Sequence, residues 1–522
     1  MKRSRMTYVK NIVLPCVIFS MMTGVVTCGL IFGYKVLASE IMELSRNIYA
    51  HVRANPGFLP LLLLGAALLG LLATLLLRWE PACRGGGIPT AIAQLRGLLN
   101  FRWLRSLVLV LLSSLVTFFC GVPLGNEGPS VQMGTAVGRG AVRLFGRNNP
   151  AWDRYVMTGG ACAGFAAATG APLTGILFAF EEAHRRFSPM IFMVSASTVI
   201  FGTATADVLC DAFGVGRRLF DFQIDAVLPA KSLWSVVIVG LVCGVVAAGF
   251  TKLYRTVRRL VHRVGRRAPF AVLSVSLFLL VAAVGFFFQE VLGSGHEIVD
   301  VLLEGHGVWY LLLIWFVLRA LFLIFANNVG VTGGLFVPSL AFGAILGFLC
   351  AKTLVAVGAL GEEYTVILTA VGMASFLGAS SRIPLTAVTF SLEALSGLSN
   401  VVPFALGVTL SYLVVEVSGI AGFNETVTES LVEESRVGKV SQTVSADVTV
   451  RPGAFVVGKE IRNILWPPSC VILSVSRNAQ TKDLPSGGME EGDVLHVYFT
   501  SCNPRETMEN LEALVGKQAL EK

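Results

Sequence analysis

Long apolar stretches without a single charge recur along the chain: Phe58–Leu77, Leu107–Asn126, Leu233–Phe250, Ala268–Gln289 and Ala320–Ala351 are the clearest. Roughly 20 residues of helix cross the hydrocarbon of a bilayer, so each reads as membrane-spanning. Other apolar segments, such as Gly159–Phe180 and Val366–Ser381, are broken by Gly and Pro. That pattern suits helices that start or stop at membrane depth. The apolar run Ile12–Phe32 follows Lys2, Arg3, Arg5 and Lys10. It is too long for a signal peptide and has no small-residue cleavage pattern, so it is expected to be a first membrane helix with its basic end in the cytoplasm. After about Arg436 the pattern changes. Val448–Val450, Cys470–Ser476 and Val494–Phe499 cluster β-branched residues, Ser486-Gly487-Gly488 and Glu491-Gly492-Asp493 supply turns, and Arg505–Gln518 has helical spacing. The reading is a membrane region over 1–435 and a small soluble α+β domain over 442–520.

Composition agrees and narrows the classes. Of 522 residues 54% are hydrophobic and 14% charged, against about 25% charged in a soluble domain. Disorder, collagen and coiled coil are excluded. The net charge of +8 suggests nucleic acid only until it is located: residues 441–522 hold 8 Lys/Arg and 10 Asp/Glu, so the excess belongs to the apolar part. Basic residues gather at the N-terminus, Arg78–Arg105, His184–Arg186 and Lys252–Arg267. They read as solvated cytoplasmic loop charge beside membrane spans, with no nucleic-acid partner. Most of the ten cysteines lie in apolar runs and form no CxxC pair, so neither a disulfide framework nor a zinc site is implied. The six histidines show no ligand spacing, and no hydrolytic triad or paired carboxylates stand out. No metal, no cofactor and no enzymatic activity are expected.

The chain repeats itself. Pro129-Ser130 with Gly134 and Gly138 has a twin in Pro338-Ser339 with Gly343 and Gly347, an offset of 209. Pro172-Leu173-Thr174 with Phe178 and Glu181 recurs as Pro384-Leu385-Thr386 with Phe390 and Glu393, an offset of 212. A duplicated membrane unit follows, about 10–215 and 225–420. Sequence alone leaves parallel and inverted copies open; inverted copies with broken helices meeting at the midplane are common in transporters, and that arrangement is expected.

Three segments share one design of glycines, a proline and an apolar helix: Gly85-Gly86-Gly87-Ile88-Pro89, Gly125-Asn126-Glu127-Gly128-Pro129 and Gly333-Gly334-Leu335-Phe336-Val337-Pro338. Proline suits a helix's first turn, where its missing N–H costs nothing. The free N–H groups and positive dipole end of such a helix form an anion site without a cationic side chain. A Lys or Arg in a low-dielectric interior would hold an anion too tightly to release it. Glu127 is the only charged residue between Ser106 and Gly138. A carboxylate at membrane depth costs about 2.5–3.5 kcal/mol by insertion scales unless something receives it, and the neighbouring helix-start amides are suited to do so. Competition follows: ionised Glu127 fills the site, protonated Glu127 leaves it open.

These three motifs, in this order, resemble the CLC family of chloride channels and proton-coupled anion antiporters, whose signatures are GSGIP, GREGP and GxFxP. The resemblance covers about 10–435. It implies an inverted-repeat helical homodimer with one anion pathway per subunit. Glu127 matches the gating glutamate, the outer proton-transfer group. Ala171–Glu182 looks like the segment that ends in the internal proton glutamate, which falls on Glu182. Channels of the family typically lack an acid there, so an antiporter is favoured, with a passive chloride channel as the alternative. Glu181-Glu182 also reads as a surface pair balanced by Arg185 and Arg186. The anion contacts implied are Gly85, Gly86, Gly125, Asn126, Glu127, Gly128, Leu335, Phe336, Val337 and Thr428. Three departures bear on selectivity. Gly86 replaces the family's serine, Asn126 replaces its usual arginine, and its central tyrosine is missing, with Thr428 or Phe423 in its place. Chloride, nitrate, bromide and fluoride therefore all stay open.

Residues 451–500 are similar to the TrkA-C (RCK C-terminal) domain, which implies a cytoplasmic regulator that binds a small-molecule ligand. Such domains also accompany potassium systems, but no TVGYG-like filter is present and helix-start motifs favour anions. The expected partners are a small anion, protons, the lipid bilayer and a second copy of the chain. The expected location is a bacterial inner membrane, with both termini cytoplasmic.

Overall fold

The computed structural model describes residues 14–145, 150–220, 224, 226–265, 270–477, 480–482 and 488–517. Lys2, Arg3, Arg5, Lys10, Arg266, Arg267, Ser486, Gly487 and the start of the Ile12–Phe32 run lie outside these residues. The membrane region runs through α1 (Leu14–Ala54), α2 (Leu59–Trp79), α3 (Ile88–Leu95), α4 (Trp103–Phe119), α5 (Glu127–Phe145), α6 (Pro150–Thr169), α7 (Pro172–Phe178) and α8 (Pro189–Phe213). It continues through α9 (Leu233–Gly265), α10 (Phe270–Phe287), α11 (His296–Leu303), α12 (Trp309–Val329), α13 (Phe336–Ala356), α14 (Thr365–Ser381), α15 (Pro384–Ser391), α16 (Val401–Val417) and α17 (Phe423–Arg436). Nine helices among the described residues are long and apolar enough to cross a membrane.

The repeat is inverted. α5 runs from mid-membrane toward the face that carries the C-terminal domain, where α6 begins. Its counterpart α13 runs the other way: it packs antiparallel on α14, Gly343 against Gly372 and Gly347 against Leu368, and α14 ends at Ser381 beside Asn424, on the side of that domain. The repeated glycines explain how tightly each half closes. A Cβ on Gly134 would collide with the Gly160 carbonyl across α5 and α6, and one on Gly343 with the Gly372 carbonyl across α13 and α14. Small residues let membrane helices approach to backbone contact where no hydrophobic effect drives them together.

Three sequence readings change. The Leu107–Asn126 run is not one span: α4 ends at Phe119 and α5 opens only at Glu127. The Ala320–Ala351 run is not one span: the chain breaks after Val329, where Gly330 takes a left-handed φ of 81°, and restarts at Phe336. The basic run after Lys252 is not a loop up to Arg263, because α9 continues to Gly265. Arg255 donates to Thr426 Oγ1 at 3.2 Å and Arg258 to the Ser430 carbonyl at 3.2 Å, both on α17. An acidic helix across the gap gives that basic turn a packed partner, which periodicity within one segment does not reveal.

The C-terminal domain is an antiparallel sheet of β1 (Gln442–Thr449), β2 (Cys470–Arg477), β3 (Gln480–Lys482) and β4 (Val494–Ser501), ordered β1-β4-β2-β3, with α18 (Pro504–Val515). Val448, Leu495, Val497 and Phe499 pack with Leu511, Leu514 and Val515 in one core. Burial alone would raise the Asp493 carboxyl, but hydrogen bonds from Arg477 and the Glu490 N–H hold it below the usual carboxylate range. The domain is docked on the membrane region. Arg154 donates to the Trp466 carbonyl at 2.6 Å, Arg186 to the Ile464 carbonyl at 2.7 Å and Ser188 to the Asn463 carbonyl at 3.1 Å. Tyr155 accepts the Leu465 N–H at 3.0 Å. Phe455 meets the Trp152 ring edge-on at 5.6 Å.

Candidate functional site

The three glycine-proline segments each open a helix, and the three helix starts converge. Gly125 and Gly334 exchange backbone hydrogen bonds, N–H to carbonyl at 2.9 Å one way and 2.6 Å the other, as an antiparallel bridge. These two residues are equivalent under the 209 offset. The first segment joins them at Gly87, whose φ of 71° demands glycine and whose missing Cβ would overlap the Gly128 backbone. Gly85 N–H reaches the Gly330 carbonyl at 3.3 Å. Pro89 sits in the first turn of α3, and Pro129 and Pro338 lie at the same stage of α5 and α13. Residues as far apart in sequence as 86 and 335 therefore line one spot.

Glu127 is 1% exposed, and its carboxylate folds back into this spot. Backbone N–H groups of Glu127 itself and of Val337 point at it, so the starts of α5 and α13 both face the charge. A Cβ on Gly125 would collide with Oε2, and one on Gly334 would lie 3.2 Å from it. Oε2 has no hydrogen-bond partner. The carboxylate thus lies at the glycine-rich helix starts that the sequence motifs mark. Glu127 and Asn126 also line a cavity of about 620 Å³ that carries Lys35, Arg218 and His296 on the face away from the C-terminal domain.

Not every residue of the GxFxP segment faces this spot. The Phe336 ring packs edge-on against Phe165 at 5.0 Å and Phe390 at 4.9 Å. Its side chain anchors the helix end in the core, leaving Leu335 beside Gly86 and the Val337 amide toward Glu127. Thr428 is buried on α17, and its hydroxyl lies 2.7 Å from the Asn424 carbonyl and 3.1 Å from that of Pro89. Its one proton is committed to backbone. Phe423 packs edge-on against Tyr254 at 4.8 Å and tilted against Phe250 at 5.2 Å.

Glu182 sits in a π-helical turn, Ala179–Ala183, and is 5% exposed. It does not pair with Arg185 or Arg186. Asn424 Nδ2 donates to its Oε1 and lies 3.4 Å from Ser381 Oγ. Arg96 braces the same turn, donating to the Ala183 carbonyl at 2.8 Å and the Glu182 carbonyl at 3.1 Å, while its Nη1 binds Glu425 at 2.9 Å. Sequence reading missed Asn424, Arg96 and Glu425. The available signal was a polar first turn on a helix that ends the membrane region. Glu181 points elsewhere: its carboxylate caps α15 through the N–H groups of Leu385 at 2.9 Å and Thr386 at 2.7 Å. Glu393 caps α7 in return, through Leu173 and Thr174, both at 2.8 Å.

Solved structures of similar fold include a slow cyanobacterial Cl⁻/H⁺ antiporter, at 21% identity and TM-score 0.74, covering 81% of this chain and 99% of the other. A eukaryotic CLC transporter matches at 21% identity and TM-score 0.67, over 81% and 74%. A CLC-type fluoride/proton antiporter matches at 18% identity and TM-score 0.63, over 79% and 97%. At these identities the likeness is one of fold. The family model for voltage-gated chloride channels matches residues 69–416, a span that holds all three converging helix starts, Glu127 and Glu182. This integral membrane protein belongs to the voltage-gated chloride channel (CLC) family.

Proposed function

We propose that the protein exchanges chloride or a similar small anion for protons across a bacterial plasma membrane. The observation that carries this reading is the buried Glu127 carboxylate lying against the amides of two helix starts. Such a cradle binds an anion or the carboxylate, not both, because two like charges a few ångströms apart in low dielectric repel strongly. Proton uptake by Glu127 removes its charge and frees the cradle, so each anion step is linked to a protonation. Glu182 supplies the other end of the proton route. It is buried, it is held by a neutral amide rather than a cation, and it lies toward the face that carries the C-terminal domain.

The same reading takes the protein as a homodimer with one pathway per subunit and the C-terminal domain as a TrkA-C-like regulator of a small ligand. Phe19 near the start of α1 touches Trp152, which touches Phe455 of that domain. This contact supports both termini lying on one side, the cytoplasm. The test is an outward chloride gradient in liposomes of the purified protein: it should drive protons inward, and the reversal potential should shift with the pH gradient. A reversal potential indifferent to pH would favour the passive channel.

A further inference from the structure

A cavity of about 1080 Å³ opens apart from the three helix starts, none of which lines it. Asn100 on its rim donates to Glu506 Oε1 of α18 at 2.8 Å, which places it on the face that carries the C-terminal domain. Its walls are the end of α2 (Trp79), the following Glu80, the chain into α4 (Arg102, Trp103, Arg105) and the end of α5 (Arg143). The Trp103 ring rests on Gly140 of α5, where a Cβ would come within 2.7 Å of its Cε3. Arg139 beside this wall is occupied, by Asp153 at 3.6 Å and the Phe101 carbonyl at 2.9 Å. Arg102, Arg105 and Arg143 have no carboxylate within ion-pair distance among the described residues. Glu80 is the one acid lining the cavity, so the wall keeps a positive excess.

The charged rim runs into apolar helix faces. On α2, Leu61, Leu64, Leu68, Leu71 and Leu75 are all exposed. Their three- and four-residue steps put them on one face, and one more step reaches Trp79. On α4, Leu104, Val108 and Leu112 are exposed in the same way, and the first two lie in the cavity wall. Exposed leucines on a membrane helix face hydrocarbon, and tryptophan favours its boundary with the headgroups. The three arginines therefore sit at headgroup level, at the end of two tracks that acyl chains can follow. A free phosphate would use the guanidiniums alone; a phospholipid uses rim and tracks together. We propose that this cavity binds an acidic phospholipid of the leaflet beside the C-terminal domain, its phosphodiester held by Arg102, Arg105 and Arg143 and its chains lying along α2 and α4. Forked guanidinium N–H donors match phosphate oxygens, and basic pockets between membrane helices take such headgroups. A zwitterionic headgroup would bring an ammonium toward three guanidiniums and one carboxylate, so an acidic one is preferred. The inference does not depend on which anion the protein carries or on proton coupling.

The test is native mass spectrometry of the full-length protein in detergent, titrated with dioleoyl phosphatidylglycerol. One such lipid per chain should stay bound, about tenfold more tightly than dioleoyl phosphatidylethanolamine. Arg102→Gln, Arg105→Gln and Arg143→Gln should each weaken it about fivefold, the scale of one basic residue beside an acidic headgroup. All three arginines are exposed, so the unfolding temperature in lipid-free detergent should not move. Arg259 and Arg263 are exposed on α9, outside the cavity, and Arg259→Gln with Arg263→Gln should leave the affinity as it was. Equal losses on α9 and at the cavity would mean charge attraction without a site and overturn the proposal. Equal binding of the two lipids would overturn it too. Displacement of phosphatidylglycerol by millimolar inorganic phosphate would make free phosphate the ligand, and so overturn it as well.

Discussion

The two halves of the membrane region share a scaffold, and two buried acids of the first half have no acidic counterpart in the second. Under the 209 offset, Glu127 corresponds to Phe336; under the 212 offset, Glu182 corresponds to Ala394. Several scaffold features around these positions are matched. Both halves have the proline at the helix start, a Gly–Gly contact between successive helices, a phenylalanine at 178 or 390 and a π-helical turn, Ala179–Ala183 or Leu392–Ser396. Even the capping acids are reciprocal, Glu181 on α15 and Glu393 on α7. A matched residue serves the scaffold, since both copies need it. An unmatched acid in a buried, low-dielectric position is costly to keep and has no partner in the other half to justify it structurally.

Ways of breaking this asymmetry rank by effect. Glu127→Gln should abolish proton movement while anion flux persists, measured by a pH electrode and a chloride electrode in one liposome suspension; proton flux at the original rate would remove Glu127 from the mechanism. Glu182→Gln should also uncouple, since a neutral amide cannot carry a proton from the Arg96 side, but with the outer gate and its pH response intact. Ala394→Glu sharpens the contrast. Ala394 is 2% exposed, and a carboxylate there should destabilise the protein by about 3 kcal/mol, seen as a lower unfolding temperature, without creating a second proton route. Glu181→Gln and Glu393→Gln should each cost about 1–3 kcal/mol from a weakened charge-assisted cap. The two losses should be alike, and coupling should survive both. Unequal losses would mean the halves are not equivalent at this contact.

A further effect lies outside the repeat. Burial pushes the Lys459 ammonium down to about 7, and Nζ sits 3.0 Å from the centre of the Phe455 ring. The folded value lies below the unfolded one, near 10.4, so the folded state disfavours the charged lysine. The C-terminal domain should therefore be least stable below about pH 7 and gain stability as pH rises from there toward 10. Hydrogen exchange of β1 and β4 in the full chain reads this, and Lys459→Met should flatten the profile.

What was legible in the sequence was whatever is local or repeated. Glycine-proline punctuation marks helix starts because backbone chemistry acts within a few residues, and the paired offsets exposed the duplication. Glu127 stood out because its flanks are apolar. Asn424 did not: it meets Glu182 across 242 positions, and nothing in its neighbourhood signals the distant partner. The continuation of α9 through Arg255 and Arg258 was hidden for the same reason, since its acidic counterpart lies on α17. The docking of Asn463–Trp466 onto Arg154 and Arg186 is likewise a contact between main-chain carbonyls and remote guanidinium groups, and carbonyls leave no trace in residue identity.

The Gly125–Gly334 bridge joins two positions that are copies of each other, so the contact is self-complementary in the manner of a two-fold dimer interface. A pair of unfused half-length chains, inserted in opposite orientations, would meet the same geometric requirement and close the same bridge. Such a pair would carry an acid at both 127-equivalent places or at neither. Joining the halves in one polypeptide is what permits a carboxylate at 127 to have a phenylalanine at the equivalent position 336, and so lets one acid break an otherwise two-fold arrangement.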